Sequence, residues 1–140
     1  MSDFSVFMGG KSKIETTKYV ASKRFVKDGK PVEWEIKPID SDLDEALRKE
    51  CTKKIPVHGK RGQYTQETDT DKYIAKMCVA CTVYPNLNDA ELQDSYKVKT
   101  GEALLKQMLL PGEYTEYKAK VMEVNGYDMS MEELVDEAKN

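Results

Sequence analysis

Three thiols and one imidazole offer the most chemistry in this chain: Cys51, His58 and the pair Cys78-x-x-Cys81. Zinc takes four such ligands in a tetrahedron, so a site of three cysteines and one histidine can be assembled by count alone. Spacing argues against it. The interval between His58 and Cys78 fits no common zinc module, and positions 78 and 81 fall on the apolar side of a helical stretch. A thioredoxin-like dithiol needs its first cysteine exposed at a helix N-terminus that follows a strand, whereas Cys78 sits in mid-helix. Buried, reduced thiols are the simpler expectation, and an odd cysteine count suits them. His58 lies in a Pro/Gly stretch with no carboxylate or nucleophile at a fixed spacing, and a general base needs such a partner within reach. There is no P-loop, no G-x-S-x-G and no H-E-x-x-H. No catalytic residue, metal or cofactor is expected.

The second cluster is electrostatic. Lys53, Lys54, Lys60 and Arg61, with His58 and Tyr64 close by, resemble a phosphate-contacting patch. The whole chain argues for a different use. Its 140 residues carry 22 Lys and Arg against 25 Asp and Glu, a net charge of −3, so it has no global attraction to nucleic acid or to an anionic membrane. That balance favours a protein partner over nucleic acid. From Glu113 to Asn140 eight acids stand against three lysines, so a basic middle and an acidic end can complement each other within the chain, between copies or across a partner.

Periodicity gives the elements that must carry these groups. Residues 1–17 have no sustained period and read as a flexible segment, with Phe4, Phe7 and Met8 as a small apolar knot beside Gly9-Gly10. Residues 18–140 read as a single domain. Between Tyr19 and Ile39 the period is two, with Tyr19, Ala21, Lys23 and Phe25 on one face of a first strand and Val32, Trp34 and Ile36 on one face of a second. Asp28-Gly29 between them supplies a tight turn, predicting a β-hairpin over about residues 19–39. Pro31 and Pro38 bracket the second strand, which suits an edge or an isolated ribbon.

From about residue 42 to 139 the pattern is helical. Ser41 is the expected cap of a helix reaching about Cys51. Tyr73, Ile74, Met77, Cys78 and Cys81 mark a core-facing helix over about residues 70–84, stopped by Pro85. Asn88 opens a short helix with Glu91 at N3, and Thr100 opens another that ends at Pro111-Gly112. A helix over about residues 113–124 closes at Asn125-Gly126. Ser130 opens the last, with Met129 and Leu134 as its hydrophobic staple. Residues 52–69, with Pro56, Gly59 and Gly62, read as a long basic loop. The expected fold class is α+β, mainly α: a helical domain with an N-terminal β-hairpin. At 39% hydrophobic and 34% charged, the chain has apolar material for one core and no run of ~18 apolar residues to span a membrane. Its N-terminus lacks a basic n-region, so no secretory signal is expected, and the chain reads as cytoplasmic.

Several blocks are more specific than any period. Tyr19-Val-Ala-Ser-Lys-Arg-Phe25 leads into Asp28-Gly-Lys-Pro-Val-Glu-Trp-Glu-Ile36. Leu47-Arg-Lys-Glu-Cys-Thr-Lys-Lys54 and Gly59-Lys-Arg-Gly-Gln-Tyr-Thr65 follow. Then come Ala90-Glu-Leu-Gln-Asp-Ser-Tyr96, Leu109-Leu-Pro-Gly-Glu-Tyr114 and Met131-Glu-Glu-Leu-Val-Asp-Glu-Ala-Lys-Asn140. In this order they resemble the XkdN-like phage tail assembly chaperones. The resemblance implies a mainly helical fold and no catalysis. It implies a protein that coats the tape-measure protein of a phage, prophage or phage-tail-like particle, keeps it soluble and helps tail-tube subunits polymerise around it. It also implies action in the cytoplasm of the bacterial host and absence from the mature particle. Some such chaperones have a longer frameshifted form.

A client of that kind, long, helix-rich and exposing apolar stripes, calls for an apolar groove, a charged rim and self-association along its length. Adaptable methionines are the groove candidates: Met108, Met122 and Met129, with Met77 and Met131 beside them. Lys53, Lys54, Lys60, Arg61 and Tyr64 are the rim candidates. Two other readings stand beside this one. The first is a structural tail component, for which one hairpin is little β-structure. The second is a small nucleic-acid- or zinc-binding regulatory domain built on the basic stretch and the cysteine pair.

Overall fold

The computed structural model describes residues 3–10 and 14–127. Its layout follows from Trp34. In β4 (Trp34–Ile36) the side chains of Trp34 and Ile36 are buried while Glu35 between them is half-exposed, the alternation expected of a strand covered on one face. Antiparallel neighbours flank it: β1 (Thr17–Tyr19) on one side, with Tyr19 opposite Trp34, and β7 (Thr82–Tyr84) on the other.

The expected continuous hairpin over residues 19–39 is therefore not what forms. β1 pairs with β4, and a separate two-residue ladder joins β2 (Val26–Lys27) to β3 (Lys30–Pro31) around the turn, out of register with the first. Asp28 and Gly29 both adopt positive φ, 52° and 79°, as the turn chemistry demands. The chain leaves the ladder between these patches because it docks on the helices instead. Ala21 and Ser22 are buried, and Arg24 donates to the Met108 carbonyl and pairs with Glu113 at 3.4 Å. Nor is the second strand an edge. Pro31 and Pro38 lie outside the three residues of β4, of which Glu35 and Ile36 pair on both sides, so neither removes a donor from this sheet. The neighbour that makes β4 central is a strand where the sequence suggests the end of a helix.

Among the described residues there are five α-helices, and in four of them a side chain at the N-cap accepts from one of the first free N–H groups. α1 (Ser41–Glu50) is capped by Asp40, whose carboxylate accepts from Leu43 N–H at 2.8 Å, one residue before the expected Ser41. α3 (Ala90–Ser95) is likewise capped by Asp89 rather than Asn88. In both cases a neighbouring carboxylate takes the position, where its charge also favours the helix dipole. α4 (Gly101–Met108) has the expected Thr100 cap. α5 (Pro111–Val124) starts two residues early, because Pro111 is preset for the first helical position and the Glu113 carboxylate reaches back to Leu110 N–H at 2.8 Å. Its end falls at Asn125-Gly126, with Gly126 at φ +91°. The expected last helix, with Ser130, Met129 and Leu134, lies outside the described residues. At the other end Asp3–Phe7 forms a 3-10 turn, and Phe7 and Met8 face solvent.

The core gathers Trp34, Ile36, Met77, Cys78, Leu104, Leu105, Tyr117 and Val121 between the sheet and helices α2 (Thr70–Cys81), α4 and α5. Only glycine fits at the start of α4. A Cβ on Gly101 would stand 2.8 Å from Val79 Cγ1 and 3.3 Å from the Leu87 carbonyl. Gly101→Ala is expected to destabilise by ~1–3 kcal/mol through overpacking. Gly112→Ala, a helical position with nothing within 4 Å, is expected to be neutral or slightly stabilising. Urea melts of the two variants check this; equal midpoints would refute the packing argument.

Candidate partner interface

The residues that cap α1 and α2 hold the ends of an arm together. Asp69 N–H donates to the Cys51 carbonyl at 2.8 Å, and Asp69 then caps α2 by accepting from Lys72 N–H. Between them β5 (Thr52–Pro56) and β6 (Tyr64–Thr68) form an antiparallel hairpin, Thr52 opposite Thr68 and Pro56 opposite Tyr64. This replaces the expected long loop. β-branched Thr52, Ile55, Thr65 and Thr68 favour the two strands but fall on both faces, so no apolar alternation marks them and the charges hide the hairpin. The two glycines belong to the tip, Gly59 at φ +77° and Gly62 at φ +79°, conformations that glycine adopts without strain. Hydroxyls lock the base. Thr52 Oγ1 donates to the Arg48 carbonyl at 2.8 Å, which leaves Thr68 Oγ1 to donate to Thr52 at 2.8 Å.

Lys53, Lys54, Lys60, Arg61 and Tyr64 all lie on this arm and all are exposed, Tyr64 at 63%. They do not share one face. Lys54 lies on the side of Pro56 and Tyr64, Lys53 stands opposite Glu67 on the other, and Lys60, Arg61 and His58 sit at the tip. Glu67 is the one acid between Thr52 and Thr68, so the arm is positive along its length.

A cleft of about 280 Å³ opens at the foot of the arm. Ile74, Met122 and Tyr127 give it apolar walls, and Arg48, Thr68 and Thr70 give it a polar rim around Tyr73. Arg48 is held in place. Its guanidinium lies 4.6 Å over the Tyr73 ring, donates to the Tyr73 hydroxyl at 3.0 Å and stands 3.7 Å from Asp44. The Tyr73 hydroxyl donates in turn to Asp44. Burial, then the bond to Asp44, push the Tyr73 phenol above its ordinary value, so it stays a neutral donor. A fixed cation beside an apolar wall can take a segment that carries a carboxylate next to an apolar side chain.

Of the groove candidates, Met122 lines this cleft, while Met108 packs into the core at the end of α4, 5% exposed. Met77 is also buried and borders a smaller cleft beside Ile39 and Tyr127. Met129 and Met131 lie outside the described residues. Sequence reasoning missed Arg48, Tyr73 and Ile74 as site residues. The Asp44/Arg48 spacing is a visible i, i+4 pair, but only the folded arm brings it against Tyr73.

The cysteines go elsewhere. Cys51, Cys78 and Cys81 are free and buried, and His58 is exposed at the arm tip. Burial, then the neighbouring Cys81, push the Cys78 thiol up to about 12. Burial raises Cys81 as well, against the pull of the Asn125 amide, which donates to its Sγ at 3.3 Å. Among the described residues no three His, Cys, Asp or Glu side chains gather as a metal would need. An unfolded thiol ionises near ~8.5. As pH rises past that value, the unfolded chain gives up a proton that folded Cys78 keeps up to about 12, so the unfolded state binds fewer protons and stability falls. The urea midpoint is expected to drop between about pH 7.5 and about pH 10. Native Cys78 and Cys81 should resist alkylation where the unfolded chain reacts; prompt labelling of the folded chain would contradict their burial.

The family model of the phage XkdN-like tail assembly chaperone protein matches residues 4–139. The phage-like element PBSX protein XkdN of Bacillus subtilis (strain 168) is 35% identical over 141 aligned residues, covering 99% of this chain and 94% of that protein. The uncharacterized protein YqbN of the same strain is 37% identical, over 99% of this chain and 93% of its own. The crystal structure of YqbN matches with a TM-score of 0.76 at 31% identity, covering 91% of this chain and 99% of that one. An α+β chain with this match along almost its whole length belongs to the XkdN-like phage tail assembly chaperone family.

Proposed function

We propose that this chaperone binds a tape-measure protein, keeps it soluble and assists tail-tube polymerisation around it. The observation that supports the reading is the placement of an exposed basic arm directly above a cleft with apolar walls and the fixed cation Arg48. A helix-rich client with an apolar stripe and acidic flanks finds the walls for one and the cations for the other. Lys53, Lys54, Lys60, Arg61 and Tyr64 form the rim of this interface, and Met122, with Ile74 and Tyr127, its apolar side. The arm charges are exposed, so their attraction is screened by salt and the contact is reversible. Reversibility suits a protein that acts in the host cytoplasm, without catalytic turnover, and leaves before the particle is mature.

Co-expression with the tape-measure protein of the same gene cluster, followed by size-exclusion chromatography with light scattering, tests this. The client is expected to become soluble and to co-elute with several copies of the chain. Replacing Lys53, Lys54, Lys60 and Arg61 together by Gln should weaken the complex at least ~10-fold. The fold should hold, because exposed substitutions stay within about 0.5 kcal/mol. Tyr127→Ala should weaken the complex without changing its salt dependence. A client that aggregates regardless, or stoichiometric amounts of this chain in finished particles, would overturn the assignment in favour of a structural tail role.

A further inference from the structure

We propose that β6 is a self-pairing edge, through which two copies of the chain join antiparallel, Tyr64–Thr68 against Tyr64–Thr68, into a four-stranded arm. The hydrogen bonds at the two ends of the arm, Asp69 N–H to Cys51 and Val57 N–H to Gln63 at 3.0 Å, fix its parity. In an antiparallel ladder that alternation places Lys53, Ile55, Thr65 and Glu67 in the bonded pairs. The N–H and C=O groups of Tyr64, Gln66 and Thr68 then point outward along one edge, and those of Thr52, Lys54 and Pro56 along the other, where Pro56 has no N–H to offer. All five β6 residues are exposed, so none of the described elements covers that edge.

The two edges are not equally protected. β5 carries Lys53, Lys54 and Pro56, the residues that guard an edge against further pairing. β6 reads Tyr-Thr-Gln-Glu-Thr, with three good strand formers in Tyr64, Thr65 and Thr68, one charge and no proline. An isolated two-stranded hairpin is marginal in water, and this one has no buried face of its own.

Parity also selects the occupant's register. Outward residues must meet outward residues, so the twofold axis can fall at Thr65, Gln66 or Glu67. At Glu67 two carboxylates would oppose each other, which is unfavourable. At Thr65, Thr68 would face Gly62, a tip residue outside the strand. At Gln66 all three outward residues pair: Gln66 with its own copy, and Tyr64 with Thr68 twice. Glu67 then faces an uncharged Thr65 while Lys53 remains across from it on its own strand. The Tyr64 ring lies against a β-branched side chain, a favourable cross-strand pair. The basic tips, with Lys60 and Arg61, point to opposite ends and do not repel. The strand is thus its own complement. Five residues a side bury far less than the ~1,200 Å² at the lower limit of stable interfaces. The pairing is therefore weak between free chains and strengthens where copies are held close together.

Sedimentation velocity on the full chain alone tests the contact, so its failure leaves the client assignment standing. From ~10 µM to ~1 mM the mean mass should rise reversibly from monomer toward dimer, as a weak complex requires. Gln66→Pro removes an outward donor without touching the arm's own ladder and should abolish the rise, with amide exchange at Lys53, Ile55 and Val57 showing whether the arm stays folded. Gln66→Cys, which would face its own copy at the axis, should oxidise to a disulfide-linked dimer at least ~10-fold faster than Lys60→Cys at the tip, and the three native thiols, being buried, do not compete. This comparison decides even if the proline variant unfolds the arm. A monomer at every concentration, or equal oxidation of the two cysteine variants, would overturn the proposal. Amide protection at Tyr64, Gln66 and Thr68 that appears only with an added client, and no dimer, would assign the edge to a client strand and overturn it as well.

Discussion

The hydroxyl of Tyr117 is enclosed by the core and bonds Thr82 Oγ1 at 2.6 Å, and that oxygen donates its own proton to the Cys78 carbonyl at 2.6 Å. A buried hydroxyl left without a partner costs about 1–3 kcal/mol, so Tyr117 holds Thr82 where it is. Thr82 thereby becomes the C-cap of α2, in an extended conformation at φ −82°, ψ 110°. The residues after it continue as a strand, and Lys37 N–H ties the junction to the Cys81 carbonyl at 2.8 Å. That strand makes β4 a central one. Trp34 then meets the Tyr117 ring edge-on, with centroids 5.2 Å apart, while Tyr19 packs on it from β1 at 6.0 Å. Sheet, α2 and α5 are locked by one phenol.

The opposite end of α2 carries the candidate interface. Asp69 caps the helix and pins the arm to the end of α1, and Tyr73, one turn on, anchors Arg48 and Asp44 beside the cleft. One helix therefore runs from the enclosed core to the exposed arm. The cleft inherits its rigidity from the first, because Ile74 and Met122 sit on helices that the Tyr117 contacts fix in relation to each other. The arm has only its ladder and its threonine base.

Legibility in the sequence follows the same division. The helical stripe of Tyr73, Met77, Cys78 and Cys81, the Thr100 cap and the Asn125-Gly126 stop can be read because each is a local rule, and the structure has all of them. The alternation of Trp34 and Ile36 is equally plain, yet their neighbours are not. Nothing local says that Thr82–Tyr84 leaves the helix for the sheet; that choice belongs to Tyr117, 35 residues away. The arm is invisible for a different reason. Strands are recognised by apolar alternation, and a hairpin with both faces in water has none to show. The basic residues of the candidate interface could be named from composition, while Arg48, Tyr73 and Ile74 needed the arm's foot to bring them together.

An arm without a core also suits transient binding. The molecule is acidic overall, with a net charge of −3, yet it concentrates Lys53, Lys54, Lys60 and Arg61 on an exposed hairpin. Charges held in water attract over a distance and set encounter rates, but each contributes little to a settled complex. The cleft is small and its walls are shared with the core, so little new apolar surface can be covered there. An element that gains order from its partners lowers the affinity obtained per unit of interface. Many such modest contacts would hold the proposed client in solution, while no single one would be slow to release. The proposed client binding needs that balance, since such a grip must yield as the tail assembles, and keeping the basic residues apart from the scaffold that Tyr117 secures would supply it.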